Sequence, residues 1–285
     1  MRRMVIAVTA LLCLALTGSA YAAATVAPTS TDIGGTASFT VSGGAKAGSP
    51  VTMVEQLGTS PSTGYGAPYP LANILTKVQG VASPDAKYFP KCTVAQINAA
   101  GNADGKWNAI CPKGSEVANG TLNSVIVPNT TSNPMLSTAN AIANPCTLGL
   151  HVYNAGGSNL AYFFTVASNA CGPLDTGAAL PYPGTVVSKG GYAVNNVPED
   201  ANISFEAGGL PAWGALLSEN LKWSDTVTVH GKKYSYLVST GCKKSRKYSA
   251  AFTATNYTGS GLPATASAPA SSDLPAVTVT GSSKC

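Results

Sequence analysis

Charge is scarce in this chain: Asp, Glu, Lys and Arg together make up 10% of its 285 residues, and there are two histidines. Without Arg2 and Arg3 the balance is 15 basic against 12 acidic side chains. That surplus is too small for the basic footprint of a nucleic-acid binder, so no nucleic-acid partner is expected. No G-x-S-x-G turn is present to expose a serine nucleophile. No cysteine pair has the short C-x₂₋₄-C spacing of a structural zinc site, and neither metal nor cofactor is expected. No apolar run beyond the N-terminus is long enough to cross a bilayer as a helix. Disorder is excluded as well, because hydrophobic residues reach 45%.

What is present begins with an export signal. Arg2 and Arg3 precede an uncharged apolar run from Met4 to Leu16, and Ala20-Tyr21-Ala22 supplies small residues at the two positions a signal peptidase reads. Residues 1–22 are therefore expected to be a cleaved signal peptide, since the run falls short of the roughly 20 residues of a membrane anchor. Cys13 sits inside that run and follows Leu12, which argues against lipidation. Secretion, to the cell surface or beyond it, follows as the expected location.

Six cysteines remain: Cys92, Cys111, Cys146, Cys171, Cys242 and Cys285. An even number in an exported chain implies disulfides. Six cysteines leave many pairings open. The sequential one (92–111, 146–171 and 242–285) is favoured because each bridge closes a loop around one local unit.

Residues 23–33 are rich in Ala, Thr and Pro and read as a flexible leader. Ala37, Phe39 and Val41 then alternate with polar residues, the period of a half-buried strand. Further strands are expected at 51–57, 74–81, 122–127, 148–153, 160–166, 185–188, 192–197, 226–229, 234–238, 248–254 and 277–279. Thr93 can cap one short helix over 93–100, bracketed by Cys92 and Cys111. Residues 210–223 fit either helix or strand. Many short strands with frequent turns predict an all-β fold, an antiparallel, jelly-roll-like β-sandwich over 34–285. Two smaller modules divided near 128–145 are the alternative.

Candidate binding residues are aromatic or basic. Trp107, Trp213, Trp223, Tyr65 and Tyr69 lie in or beside loops, and flat rings with a polar edge can stack on sugars. Burial in the core competes with that role, above all for Trp213 and Trp223. Lys243, Lys244, Arg246 and Lys247 form one basic patch and Lys232–Lys233 another, roughly 20–30 Å apart by strand rise. Either could meet an anionic wall polymer or a lipid headgroup, or simply guard a strand edge.

Catalytic candidates are sparse. His151 and His230 read as a polar strand residue and a turn residue. Glu206 with Glu219, or Glu199 with Asp200, are the carboxylates a glycosidase would need facing each other at roughly 5–10 Å. Leu262-Pro-Ala-Thr-Ala266 lacks the glycine and the apolar tail of a sorting signal. The Asn-x-Ser/Thr triplets at Asn119, Asn129, Asn202 and Asn256 arise readily in so polar a chain.

The run Phe89-Pro-Lys-Cys92-Thr-Val-Ala-Gln-Ile97, followed by Cys111-Pro-Lys-Gly-Ser115-Glu-Val-Ala-Asn-Gly120, resembles a group of exported, disulfide-containing, β-rich proteins of high-GC Gram-positive bacteria. Their pattern is a Cys, a short helix, then Cys-Pro-x-x-Ser-x-Val-Gly-x-Gly, and here Ala118 replaces the first of those glycines. Leu150-His-Val-Tyr-Asn154 and the terminal Thr-Gly-Ser-Ser-Lys-Cys285 also fit it. The resemblance implies export, disulfides and β architecture, and it transfers no catalytic residue. A secreted, non-enzymatic binding or structural protein of the envelope is the expectation, touching glycans or anionic wall polymers. A secreted polysaccharide hydrolase is the alternative.

Overall fold

The computed structural model describes residues 23–29, 32–63, 68–100, 110–128, 145–166, 181–198, 204–207, 210–256 and 272–285. The chain opens with an antiparallel meander of β1 (Ala24–Val26), β2 (Gly34–Gly43) and β3 (Val51–Ser60). β4 (Leu71–Gln79) and the short β5 (Val81–Ala82) follow. An excursion then carries a 3-10 turn (Ala86–Tyr88) and α1 (Val94–Ala99). A second meander comprises β6 (Glu116–Pro128), β7 (Pro145–Gly156), β8 (Asn159–Val166), β9 (Tyr182–Lys189) and β10 (Tyr192–Pro198). β11 (Ser204–Ala207) pairs with β12 (Leu210–Trp223), and β13 (Thr226–Val229) with β14 (Lys232–Ser235). β15 (Val238–Ser239), β16 (Ser245–Asn256), β17 (Ser272–Asp273) and β18 (Val277–Lys284) complete the chain.

The all-β expectation is met, and 210–223 is a strand. Its alternation decides this: Leu221 and Trp223 are buried while Asn220 and Lys222 are exposed, a period of two that no helix gives. The sandwich is not confirmed. Hydrogen bonding follows a single antiparallel path, β1-β2-β3-β12-β6-β7-β8-β9-β10-β4-β16, extended by β18 beside β16. β18 in turn lies against β1 and β2, so the sheet curls almost into a barrel. Two insertions set this order. β12 enters between β3 and β6, and β4 enters between β10 and β16. β6 and β7, on either side of 129–144, are direct neighbours in the one sheet. Part of the expected leader is structured too, since β1 pairs with β2 and Ile33 is buried.

The main core fills the inside of the curl, from Phe39 and Met53 to Trp223 and Phe252. A satellite core lies outside it, where α1 seats Ile97 against Tyr153, Ala161 and Phe163. Local chemistry builds that helix. Thr93 Oγ1 accepts the Gln96 N–H at 3.2 Å and Gln96 Oε1 accepts the Thr93 N–H at 2.8 Å, a capping box. The Cys92–Cys111 disulfide closes the excursion, as its spacing predicts, and Cys242–Cys285 ties β18 to the start of β16. Cys146 is also disulfide-bonded, and its expected partner Cys171 lies outside the described residues. No helix is long and apolar enough to cross a membrane among the described residues.

Candidate functional site

Two features carry chemistry: a closed acidic cluster inside the curl and an open aromatic–lysine surface outside it. The first follows from strand phase. Val51, Met53, Glu55 and Leu57 alternate inward along β3, and Glu219, Leu221 and Trp223 do so along β12. The register sets Glu55 opposite Leu221, with Trp223 and Glu219 one inward position to either side. Glu55 and Glu219 are 1% and 8% exposed and line one cavity with Leu57, Ile74, Tyr162, Tyr182, Asn195 and Val197.

The cluster is hydrogen-bonded, and none of the described residues that line its cavity is a Lys, Arg or His. Trp223 Nε1 donates to Glu55 Oε2 at 3.0 Å, Thr76 also bonds Glu55, and Asn195 Nδ2 donates to the Tyr162 hydroxyl at 2.8 Å. Burial raises the Glu55 pKa to about 7, the bonds from Trp223 and Thr76 notwithstanding. Burial and the nearby Glu55 charge push the Tyr162 phenol well above its ordinary value. So Glu219 does share a cavity with a second carboxylate, but that carboxylate is Glu55 and not Glu206. The cavity of about 10 Å³ has room for a single water molecule and none for a sugar ring.

The second feature joins the excursion to the β13–β14 hairpin. Tyr88 and Tyr234 stack with ring centroids 3.9 Å apart, and the Lys87 and Lys232 ammonium groups each lie 5.0 Å from a ring centroid, over Tyr88 and Tyr234 respectively. Both lysines are exposed and both tyrosines half-buried. The mounting is rigid. Phe89 packs edge-on against Tyr236, and buried Asn154 donates through Nδ2 to the carbonyls of Ala86, Phe89 and Pro90 at 3.2, 2.9 and 3.2 Å.

The expected aromatic and basic residues divide. Trp223 and Tyr69 are buried core residues, which removes both as ligand-stacking rings. Arg246 is buried as well, because it shares the inward phase of Tyr248, Ala250 and Phe252, while Lys243, Lys244 and Lys247 are exposed. Trp213 lies on β12 opposite Val127, and Glu206 on β11 opposite Pro211. Trp107, Tyr65, Glu199 and Asp200 lie outside the described residues. Tyr88 and Tyr234 escaped sequence reasoning because their pairing is long-range. The one local signal was that each adjoins or nearly adjoins a lysine.

His151 stands in a hydrogen-bonded row on the outer face of the sheet. Its Nδ1 is 2.7 Å from Glu116 Oε1, and its Nε2 is 3.3 Å from Thr165 Oγ1. The order carboxylate, imidazole, hydroxyl matches a nucleophilic relay. Thr165, however, sits in the regular β7–β8 ladder opposite Gly149, not in the strained turn that presents a nucleophile. Among the described residues no group of three His, Cys, Asp or Glu side chains could hold a metal ion. Comparison of the chain with family models, with curated proteins and with solved structures finds no match in any of the three.

Proposed function

We propose that this chain is an exported, non-enzymatic binding protein of the cell envelope that contacts glycans or wall polymers through the Tyr88–Tyr234 surface. The observation that carries the reading is the stacked pair with an ammonium group 5.0 Å from each ring. The half-exposed edges of the stacked rings offer apolar area and phenolic hydroxyls to a sugar, while the lysines over them add attraction for anionic groups. Mounting both rings on clamped elements lowers the ordering cost of binding. The disulfides fit an oxidising compartment, in keeping with the signal-like N-terminus. We take the curled sheet to be flattened and sandwich-like, a view supported by side chains of β3 and β12 meeting those of β4, β8, β9 and β10 around one small cavity in the core. The cavity that Glu219 shares with Glu55 has no space for a sugar and gives the hydrolase alternative no support, while its other carboxylates, Glu199 and Asp200, lie outside the described residues.

Co-sedimentation of the oxidised protein with purified cell wall and insoluble polysaccharides, at low and high salt, tests the reading. Retention at both salts is expected, with a loss of about fivefold or more in Tyr88→Ala/Tyr234→Ala from the removed ring area. Lys87→Ala/Lys232→Ala is expected to lose mainly the component that salt screens. Absence of retention on every polymer would overturn it.

A further inference from the structure

Charge in this chain is segregated as well as scarce. β9, β10, β4, β16 and β18 lie side by side in the sheet, and none of them contains an Asp or a Glu. Lys189 of β9, Lys77 of β4 and Lys247 of β16 are all exposed. Strand phase puts them on one face. Ala193, Val78 and Tyr248 point into the core, so Tyr192, Lys77 and Lys247 point outward, and Lys189 joins them because it stands opposite Tyr192.

Register aligns these residues in two rows across the outer face. One row runs Lys189, Tyr192, Gln79, Lys247 and Ser282, with the Lys247 N–H donating to Gln79 Oε1 at 3.2 Å. The next runs Val187, Val194, Lys77, Ser249 and Thr280. At the usual strand spacing the backbones at Lys189 and Lys247 are about 14 Å apart, and Lys77 lies between them one row, about 7 Å, further along. Lys243 and Lys244, also exposed, immediately precede β16. Asp273, the acid next to β18 in sequence, stands opposite Thr255 at the far end of β16. Lysines often guard strand edges, but β4 and β16 are paired on both sides, so Lys77 and Lys247 guard none.

We propose that this outer face, centred on Lys77, Lys189 and Lys247, binds a linear polyanion that carries hydroxyl groups, a phosphodiester or uronate polymer. Its cations are lysines, point charges that read charge density along a chain rather than the planar outline of one anionic group. The hydroxyl and amide groups that stand between them suit the hydroxyls of such a chain. With no carboxylate on the five strands to cancel it, the attraction accumulates over the whole face. A lipid surface fits less well, because it is also met by apolar side chains, and Val187 is the one large exposed hydrophobic on these strands among the described residues. The inference goes beyond the proposed tyrosine surface and uses none of its residues.

Calorimetric titration of the intact, oxidised protein with soluble poly(glycerol phosphate) and with polygalacturonate, at low and at high salt, tests it. Saturable binding to one polymer or both is expected, falling steeply with salt, with none to neutral dextran. The more tightly bound polymer identifies the source of the anion. Lys77→Gln/Lys189→Gln/Lys247→Gln should weaken binding about tenfold or more. All three side chains are exposed, so this variant should melt as wild type does. Lys91→Gln/Lys113→Gln/Lys222→Gln removes the same charge from exposed positions elsewhere and should weaken binding about twofold at most. Equal losses in the two triple variants, or no binding to either polymer, would overturn the inference. Tighter binding to phosphatidylglycerol vesicles than to both polymers would overturn it in favour of a lipid surface. The two triple variants locate soluble polyanion on this face, and retention on cell wall at high salt reads the tyrosine surface, so each reading fails separately.

Discussion

Raising the pH from about 5 to about 8 is expected to lower the melting temperature of the oxidised protein, and Glu55→Gln is expected to abolish most of that fall. The folded Glu55 carboxyl has its pKa raised to about 7 from the ordinary value of 4.5. Below the lower value both folded and unfolded chains hold the proton, and the fold keeps its full stability. Between the two values the folded chain binds more protons than the unfolded one, so stability falls as pH rises, and the loss is complete above the folded pKa. A displacement of this size corresponds to about 3 kcal/mol, or roughly 6–12 °C in a chain of this length. The groups that face Glu55 cannot offset its charge. Trp223 and Thr76 donate hydrogen bonds, Tyr162 and Asn195 are neutral, and Glu219 adds a second acid. Gln at position 55 keeps an acceptor for Trp223 Nε1 without ionising, so this variant should be the more stable protein at the higher pH. Calorimetric melts of wild type and variant at the two pH values check the prediction. A melting temperature indifferent to pH, with Glu55→Gln neutral or destabilising throughout, would contradict it.

Much of this architecture is written locally. The alternation of Ala37, Phe39 and Val41 is enough to place β2, and Thr93 with Gln96 marks the helix. The 92–111 and 242–285 bridges follow from the way each closes one unit. The order of strands does not follow in this way. A strand's own pattern says which residues point inward, but not that β12 enters between β3 and β6. For that reason Glu219 was legible as a carboxylate without a visible partner. Its partner Glu55 was equally legible, in phase with Met53 and Leu57, but a charged residue in an apolar row is easily assigned to the surface. Arg246 has the same history. The run Lys243-Lys244-Ser245-Arg246-Lys247 reads as one solvated patch by composition, whereas period two along Arg246, Tyr248, Ala250 and Phe252 turns the arginine inward. Where composition and phase disagree in this chain, phase is the better guide, because register in a half-buried strand is fixed by its whole row of side chains.

Asn154→Ala is expected to loosen the excursion between β5 and β6 while leaving the curled sheet folded, and to weaken wall retention with it. Asn154 is fully buried and bonds the excursion on both of its arms. Its backbone N–H donates to Ser115 and its carbonyl accepts the Cys92 N–H, both at 2.8 Å. Its Nδ2 serves the carbonyls of Ala86, Phe89 and Pro90, and its Oδ1 accepts the Gly156 N–H at 3.2 Å. Removing the amide strands several buried backbone groups at once, at a cost of about 3 kcal/mol or more. Asn154→Asp should be worse, because a carboxylate would replace the amide donor among three carbonyl oxygens. The Cys92–Cys111 bridge and the packing of Ile97 on Tyr153 and Phe163 keep the excursion tethered, so the opening should be local. Amide exchange should therefore accelerate at Tyr88, Phe89 and Ile97 and stay slow at Leu150 and Val152. Tyr88 immediately precedes Phe89, one of the clamped carbonyls, so a freed excursion no longer holds its ring against Tyr234. Retention on cell wall should then fall toward that of Tyr88→Ala/Tyr234→Ala although both tyrosines are present. Unchanged exchange at Tyr88 together with unchanged retention would mean that the Asn154 amide does not hold the tyrosine surface in place.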